Sequence, residues 1–136
     1  MTNPVAPSVA FEASTPLPFE EAIARARKAL EAEGFGVLTE IDVAATMKKK
    51  LGVDFPPDLI LGACHASSAF KALSAAPQVG VLLPCNVTVS VEGGRTVVRA
   101  MDARSVLGLV AVPALEAVGQ EVTAALKRVI ADVAGG

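Results

Sequence analysis

Two cysteines and a single histidine are the side chains of this sequence with the widest chemistry. Cys64 ends one predicted strand and His65 follows it, while Cys85 begins another predicted strand with Asn86 beside it. Asp102 is predicted to face Cys85 across a hairpin. If these side chains meet at one end of a sheet, they place a few polar groups next to an apolar surface, as small-molecule sites do. We therefore treat Cys64, His65, Cys85, Asn86 and Asp102 as candidate ligand-binding residues.

The two cysteines leave three interpretations open. In a structural role, both thiols lie in apolar runs, where cysteine packs as a small hydrophobe and burial raises its pKa. In a ligand pocket, an apolar metabolite or cofactor binds near them and a dimer partner closes the mouth. In a metal or redox site, the two thiolates, His65 and Asp102 form a four-ligand set suited to zinc, or the thiols form a redox pair. The identity of a metal, ligand or cofactor stays unknown.

No residue is assigned a catalytic role. A nucleophile made of Cys85 and His65 lacks an evident orienting residue. The motifs of serine hydrolases, P-loop proteins and dinucleotide-binding folds are absent from the sequence. The lysines at 48–50 are predicted to be a solvated helix face rather than a phosphate site, because no Gly-rich loop or arginine accompanies them. An enzyme is therefore not the favoured interpretation.

One long predicted β-hairpin, residues 77–102, has to position these side chains. Apolar and polar residues alternate over 85–92, which indicates a half-buried strand, and Gly93-Gly94 supplies a two-residue turn. Pro84 cannot donate a ladder hydrogen bond, so the strand is expected to bend there, and 81–83 is expected to be covered on both faces. The predicted pairs are Glu92 with Arg95, Val91 with Thr96, Val89 with Val98, Val87 with Ala100, and Cys85 with Asp102.

Apolar periodicity predicts the elements around the hairpin. Strands are predicted at 8–13, 35–43 and 59–64, and helices at 18–33, 44–51, 69–75 and 113–133. Ser67 and Ser68 are predicted to cap the helix at 69–75, with Phe70 and Leu73 on its buried side. The apolar segment 106–110 is expected either to cover the core or to contact another subunit. This order predicts an α+β fold, in which an antiparallel sheet of about five strands is backed by two long helices.

Composition narrows the class of protein. The chain has 136 residues, which predicts a single domain, 1–136, with a flexible start at 1–7. Its 52% hydrophobic and 19% charged residues argue against disorder. A net charge of −2 and the lack of Trp and Tyr argue against a nucleic-acid partner. No apolar run is long enough to span a membrane and no signal peptide is recognisable, so a cytoplasmic location with free thiols is expected.

Four segments together resemble the prokaryotic family called domain of unknown function 302. They are GFGVLTEIDV at 34–43, LGACHASSAFKAL at 61–73, VLLPCNVTV at 81–89 and VLGLV at 106–110. The resemblance covers 8–133, and the Gly-Ala-Cys and Leu-Pro-Cys tripeptides are its most specific parts. It implies an α+β domain with a TATA-binding-protein-like β-α-β4-α topology, usually a homodimer, with no established activity. The family pattern has Asn-Pro after the first cysteine where this chain has His65-Ala66, so a role for His65 is particular to this protein or its near relatives.

Three functional hypotheses follow from these observations. The first is a homodimeric binding protein for a small apolar ligand or cofactor near Cys64 and Cys85. The second is a thiol-redox or metal-binding protein that uses Cys64, Cys85 and His65. The third is an interaction module without a ligand, whose interface is 106–110 and the last helix. Thiol reactivity separates the first two, because a binder has slow thiols that its ligand protects, whereas a redox site has one fast thiol of low pKa.

Overall fold

Five β-strands form one antiparallel sheet in the computed structural model, which describes residues 9–136. The strands are β1 (Ala10–Thr15), β2 (Gly36–Asp42), β3 (Asp58–Cys64), β4 (Cys85–Glu92) and β5 (Arg95–Met101). Their order across the sheet is β1-β5-β4-β3-β2, so β1 and β2 are its edges. The flexible start predicted at 1–7 lies outside the described residues.

Two long helices pack on one face of this sheet. They are α1 (Phe19–Ala32) and α5 (Ala114–Ala134). The shorter helices are α2 (Val43–Leu51), α3 (Ala66–Ala75) and α4 (Ala103–Gly108), and a 3-10 helix spans Pro77–Leu82. α5 contacts α1 as well as β1 and β5. Its buried stripe recurs at helical spacing, as the sequence predicts, and includes Leu115, Val118, Val122, Leu126, Val129 and Val133. The predicted α+β fold with a five-stranded antiparallel sheet is confirmed.

The β4–β5 hairpin has the predicted register at its turn. Glu92 pairs with Arg95 and Val87 with Ala100, and the pairs between them follow in step. Both glycines of the turn have positive φ, which is why the two-residue connection is possible. The predicted pair of Cys85 with Asp102 is wrong. β5 ends at Met101, and the backbone N–H of Asp102 donates to the carbonyl of Val9, on the β1 side of the sheet.

The segment before β4 is helical rather than extended. The 3-10 helix Pro77–Leu82 replaces the first part of the predicted hairpin, because Pro77 suits the first helical positions and has no N–H for a ladder. A cis peptide bond joins Leu83 to Pro84 and leads into β4. Val81 is 89% exposed, so the expectation that both faces of this segment are covered is wrong.

Helix α3 presents a different face to the core from the one predicted. It begins at Ala66, with His65 in the N-cap position and without a side-chain cap, so Ser67 and Ser68 lie inside the helix. The buried residues are Ser68 and Ala72, four apart, whereas Phe70 is 73% exposed. Small inward side chains let α3 lie close to its neighbours, and the larger Phe70 and Leu73 then point outward.

The apolar segment 106–110 is divided between core and surface. It belongs largely to α4, in which Leu107 is 3% exposed and packs into the core. Leu109, just after the helix, is 81% exposed. The segment therefore covers the core with one leucine and leaves the other on the surface.

The second sheet face is polar and the β2 edge is irregular. Arg99 on β5 forms ion pairs with Glu12 and Glu92 on that face. In β2 the register shifts between Val37 and Thr39, which is a β-bulge. Opposite the bulge, a Cβ at Gly62 would collide with Oγ1 of Thr39. Glycine at this position therefore lets the bulged edge lie flat against β3.

Candidate functional site

An apolar cavity lies where the end of β3, the start of β4 and helices α3, α4 and α5 meet. Its volume is about 20 Å³, which is room for about one water molecule and far below the ~300 Å³ at which ordinary small-molecule pockets begin. Cys64, His65 and Cys85 all contribute to its lining, so three of the five candidate residues come together here. The apolar part of the lining includes Ala63, Ala72, Leu83, Leu107, Val118 and Val122.

Cys85 is the buried thiol of this apolar cavity. It is 7% exposed, and burial raises its pKa to about 11, with a further contribution from the neighbouring charge of Cys64. Cys64 is half-buried, and neither cysteine forms a disulfide. At neutral pH the Cys85 thiol is protonated, and a protonated thiol is a poor nucleophile and a poor metal ligand.

His65 separates the apolar cavity from a second, polar cavity. Its ring meets Phe35 edge-on, with the ring centroids 5.2 Å apart. Its Nδ1 lies 2.9 Å from Oγ of Ser68 and 3.4 Å from Oγ of Ser67. The Ser68 hydroxyl donates to Oε1 of Glu121 at 2.7 Å. Because Ser68 is 2% exposed, a buried hydroxyl connects the imidazole to a carboxylate.

We call the second cavity the polar cleft; its volume is about 310 Å³. Arg128 on α5 donates from Nε and Nη2 to Oε1 of Glu33, at 3.0 and 2.8 Å, and this lowers the pKa of Glu33. The hydrogen bond from Ser68 lowers the pKa of Glu121, with a smaller contribution from the charge of Lys71. Both carboxylates are therefore ionised at neutral pH. The full lining is Glu33, His65, Ser68, Glu121, Val122, Ala125 and Arg128.

Neither Asn86 nor Asp102 lines the apolar cavity. Asn86 pairs with Gly62 in the sheet and is exposed. Its neighbour Cys85 faces the core, and side chains of a strand alternate between faces, so Asn86 lies on the polar face. Asp102 accepts hydrogen bonds from the N–H and the hydroxyl of Ser105 and thereby caps α4. The end of β5 carries this carboxylate toward α4 rather than toward Cys85.

Residues 9–136 do not contain the set of ligands that the metal-binding hypothesis requires. No three His, Cys, Asp or Glu side chains there come close enough to hold a metal ion. The four-ligand set that included Asp102 is not assembled, since that carboxylate caps α4.

The lysine run at 48–50 lies in the last turn of α2, where Lys48 pairs with Asp54 at 3.1 Å. None of the described helices is long and apolar enough to cross a membrane.

The polar cleft contains residues that the sequence alone does not single out. Ser68 and Glu121 are 53 positions apart, and Glu33 and Arg128 are 95 apart. No motif of fixed spacing connects residues that meet only through the packing of α3 and α1 against α5. The one local signal is a serine three positions after His65, which one turn of helix brings to the same side.

Comparison with known proteins gives a family match over most of the chain. The model of the family described as Domain of unknown function DUF302 matches residues 11–133. The fold is also similar to the crystal structure of an uncharacterized conserved protein DUF302 from Bacillus stearothermophilus, with a TM-score of 0.86 and 28% sequence identity. That similarity covers 92% of this chain and 98% of the other. No curated protein matches the chain.

Proposed function

The chain belongs to the DUF302 family, and we propose that it is a binding protein for a small apolar ligand, held in the apolar cavity beside Cys85. The observation that carries the proposal is the lining of that cavity, which is almost wholly apolar at a point where five elements meet. Apolar cavities exclude water and take up apolar molecules. The half-buried Cys64 and His65 provide polar groups at the margin that can orient a ligand.

Ligand binding requires the outer wall of the apolar cavity to move. At about 20 Å³ the cavity is too small for an organic molecule. The outer wall consists of α3 and the segment that follows it, which contribute Ala72 and Leu83. The outward side chains of this wall, Phe70 and Val81, are exposed apolar groups. Outward displacement of α3 would enlarge the cavity and expose an apolar surface along which a ligand could enter.

The raised pKa of Cys85 favours binding over thiol chemistry. A redox or nucleophilic site needs a thiolate near neutral pH, and burial has the opposite effect on Cys85. A slow, protonated thiol is what a ligand-binding role predicts. A cytoplasmic location is part of the proposal, and the two free cysteines support it.

Benzene is a suitable probe of the proposed ligand site, after native mass spectrometry of freshly purified protein has tested for a retained ligand. We expect benzene to cause saturable NMR shifts of the methyl groups of Leu107 and Val122, and to slow alkylation of Cys85. Ala72→Leu fills the cavity from α3 and should abolish both effects. Ala75→Leu, on the exposed side of the same helix, should preserve them. Unchanged methyl shifts, or equal responses in the two variants, would refute the proposal.

A homodimer is the second candidate, because three large apolar side chains are exposed on, or directly after, elements that contact one another. Phe70, Val81 and Leu109 are 73%, 89% and 81% exposed, and α3 and α4 both contact the 3-10 helix that carries Val81. We propose a second copy of this chain as the occupant of this surface. Analytical ultracentrifugation should show a dimer that Phe70→Asp converts to a monomer. Leu51→Asp, at an exposed leucine of α2, should leave the dimer intact; a monomeric wild-type protein would refute the candidate.

A further inference from the structure

We propose that residues 48–55 bind the surface of a bilayer that contains anionic lipids, with the lysines against the headgroups and the apolar side chains inserted between them. We call these residues the basic apolar segment. They comprise the last turn of α2 and most of the connection to β3. None of them lines the apolar cavity or the polar cleft, so the proposal is independent of the ligand site beside Cys85.

The first observation is a concentration of exposed apolar side chains. Ten large apolar side chains are exposed among the described residues, and five of them lie between positions 38 and 55. Three belong to the basic apolar segment: Leu51 is 69% exposed, and Val53 and Phe55 are each 45% exposed. α2 itself contains no buried residue. Exposed apolar surface of this kind marks a site that contacts a partner or a membrane.

The second observation is an excess of positive charge on the same segment. Lys48, Lys49 and Lys50 occupy the last turn of α2 and are exposed. Lys48 pairs with Asp54 at 3.1 Å, whereas neither Lys49 nor Lys50 has an ion pair or a side-chain hydrogen bond within residues 9–136. Three lysines and one aspartate leave two positive charges in excess, although the whole chain has a net charge of −2. The segment is therefore locally basic.

The other carboxylates close to this segment in the sequence do not neutralise the two unpaired lysines. Glu40 on β2 forms an ion pair with Arg27 of α1. Asp42 accepts a hydrogen bond at the first turn of α2, the opposite end of the helix from the lysines. Asp58 begins β3, where its carboxyl group interacts with the charge of Arg99. The positive charge of the two lysines thus remains available to an anionic partner.

The backbone keeps the lysines and the apolar side chains on one protruding surface. Gly52, with φ of +69°, ends α2 and turns the chain. The ion pair between Lys48 and Asp54 then places the connection beside the last helical turn. Every residue from 48 to 57 is exposed, and a Cβ built on Gly52 would meet nothing within 4 Å. The segment therefore projects from the sheet rather than lining a groove.

A bilayer is the occupant that suits this combination of features. The membrane affinity of an interfacial segment grows with its buried apolar area and with the attraction between basic side chains and anionic lipids. A second copy of the chain is a poor match, because a two-fold axis through the segment would place the unpaired lysines of both copies side by side. A protein partner anchors side chains in well-packed pockets, whereas a bilayer takes up side chains that protrude.

Co-sedimentation with vesicles of equal parts phosphatidylglycerol and phosphatidylcholine measures the binding, with pure phosphatidylcholine vesicles as the matched probe. Only the anionic vesicles should bind the protein, and added salt should weaken the binding by screening the exposed charges. Lys49→Gln combined with Lys50→Gln should weaken it more than tenfold, at about fivefold for each lysine. Lys28→Gln combined with Lys71→Gln removes the same charge at exposed positions of α1 and α3 and should change it less than about twofold. Equal effects of the two double variants, equal binding to both vesicles, or no binding would refute the proposal.

Insertion can be measured at single positions, because the chain contains neither tryptophan nor tyrosine. In Phe55→Trp, the indole emission should shift to shorter wavelength on anionic vesicles, and brominated lipids should quench it. Phe70→Trp is the matched control, since Phe70 is exposed on α3 and outside the basic apolar segment. Its emission should not respond to vesicles, whether or not the protein is a dimer. A response at position 70 that equals or exceeds the response at position 55 would overturn the proposal.

Polyglutamate in solution separates a membrane from an acidic protein partner, because it offers anionic charge without an apolar phase. It should not shift the emission of Phe55→Trp. Leu51→Ser should weaken binding to anionic vesicles severalfold through the lost apolar contact. Val9→Ser, at an exposed valine just before β1, should not. If polyglutamate shifts the emission as vesicles do, or if Leu51→Ser binds vesicles as the wild-type protein does, charge alone explains the binding and the membrane proposal is wrong.

Discussion

The apolar cavity and the polar cleft are neighbours of opposite character. They share His65, Ser68 and Val122, yet the first measures about 20 Å³ and the second about 310 Å³. Apolar side chains close over a cavity because contact removes them from water, whereas hydrated carboxylates and guanidinium groups resist closure. Glu121 on α5 lines only the polar cleft, whereas the next residue, Val122, lines both cavities. The comparison teaches that packing holds the first region together and hydrogen bonding organises the second.

Leu107→Ala tests whether packing of the apolar cavity lining stabilises the fold. Leu107 lines the apolar cavity and is buried, so the substitution enlarges the cavity and should lower the free energy of unfolding by about 2–5 kcal/mol. Urea denaturation monitored by circular dichroism measures the change. Leu109→Ala, two residues away and exposed, should stay within about 0.5 kcal/mol of the wild-type protein. Equal losses would mean that the cavity lining is not part of the core.

The alkaline stability of the protein tests the environment of Cys85. The pKa of its folded thiol, about 11, lies above the ~8.5 of an unfolded thiol. The stabilisation is therefore complete below pH ~8.5 and is lost as pH rises through 11, by up to about 3 kcal/mol. Unfolding free energies between pH 8 and 11 should fall in the wild-type protein, and Cys85→Ala should remove this part of the loss. Cys64→Ala should keep most of the loss, because burial of Cys85 is the larger cause of its raised pKa and the charge of Cys64 the smaller one; a wild-type slope unchanged by Cys85→Ala would contradict the expectation.

The wall between the two regions is probed by Ser68→Ala. The variant leaves Glu121 without its buried donor and Nδ1 of His65 without its nearest hydrogen-bond partner. Loss of hydrogen bonds at a buried site should lower the unfolding free energy by about 1–3 kcal/mol. Thermal and urea unfolding measure the effect, with the exposed Ser67→Ala as control. If both serine variants behave alike, the buried hydroxyl does not organise the polar cleft.

The smallest expected effect is on the stability of the folded protein at acidic pH. The pKa of Glu121 is lowered by the bond from Ser68, so this group stabilises the folded protein above its unfolded pKa of ~4.3. That contribution is lost as pH falls through the lower folded pKa. The Tm difference between pH 7 and pH 3 should be smaller in Glu121→Gln than in the wild-type protein. Glu20→Gln, on α1 and outside the cleft lining, should leave the difference unchanged.

Local patterns were sufficient to predict the β4–β5 part of the hairpin and the two long helices. The two-residue glycine turn fixes the β4–β5 register, because the side-chain period of a strand is two and a slip would reverse its faces. The stripe of α5 extends over many turns, so its buried face is unambiguous. Both signals are contained within short stretches of chain. The predicted strands and helices occur in the predicted order, whereas the 3-10 helix and α4 were not predicted.

Tertiary packing decided what the sequence left open. Phe70 and Leu73 are larger and more apolar than Ser68 and Ala72, yet α3 turns the smaller pair inward because close packing against α5 leaves no room for the larger one. The buried Ser68 is stabilised by a carboxylate 53 positions away, which no local pattern could indicate. Cys64, His65 and Cys85 meet as proposed from the strand ends, but Asp102 departs because capping α4 satisfies its carboxylate.

The bulge in β2 bears on how the protein behaves at high concentration. β2 is an edge of the sheet, and a regular edge strand offers a template on which another chain can add a strand. The register shift between Val37 and Thr39 interrupts the repeat of free backbone donors and acceptors along that edge. An incoming strand could match the edge on only one side of the shift. The irregularity that lets β2 lie against Gly62 thus also makes this edge a poorer template for fibrous aggregation.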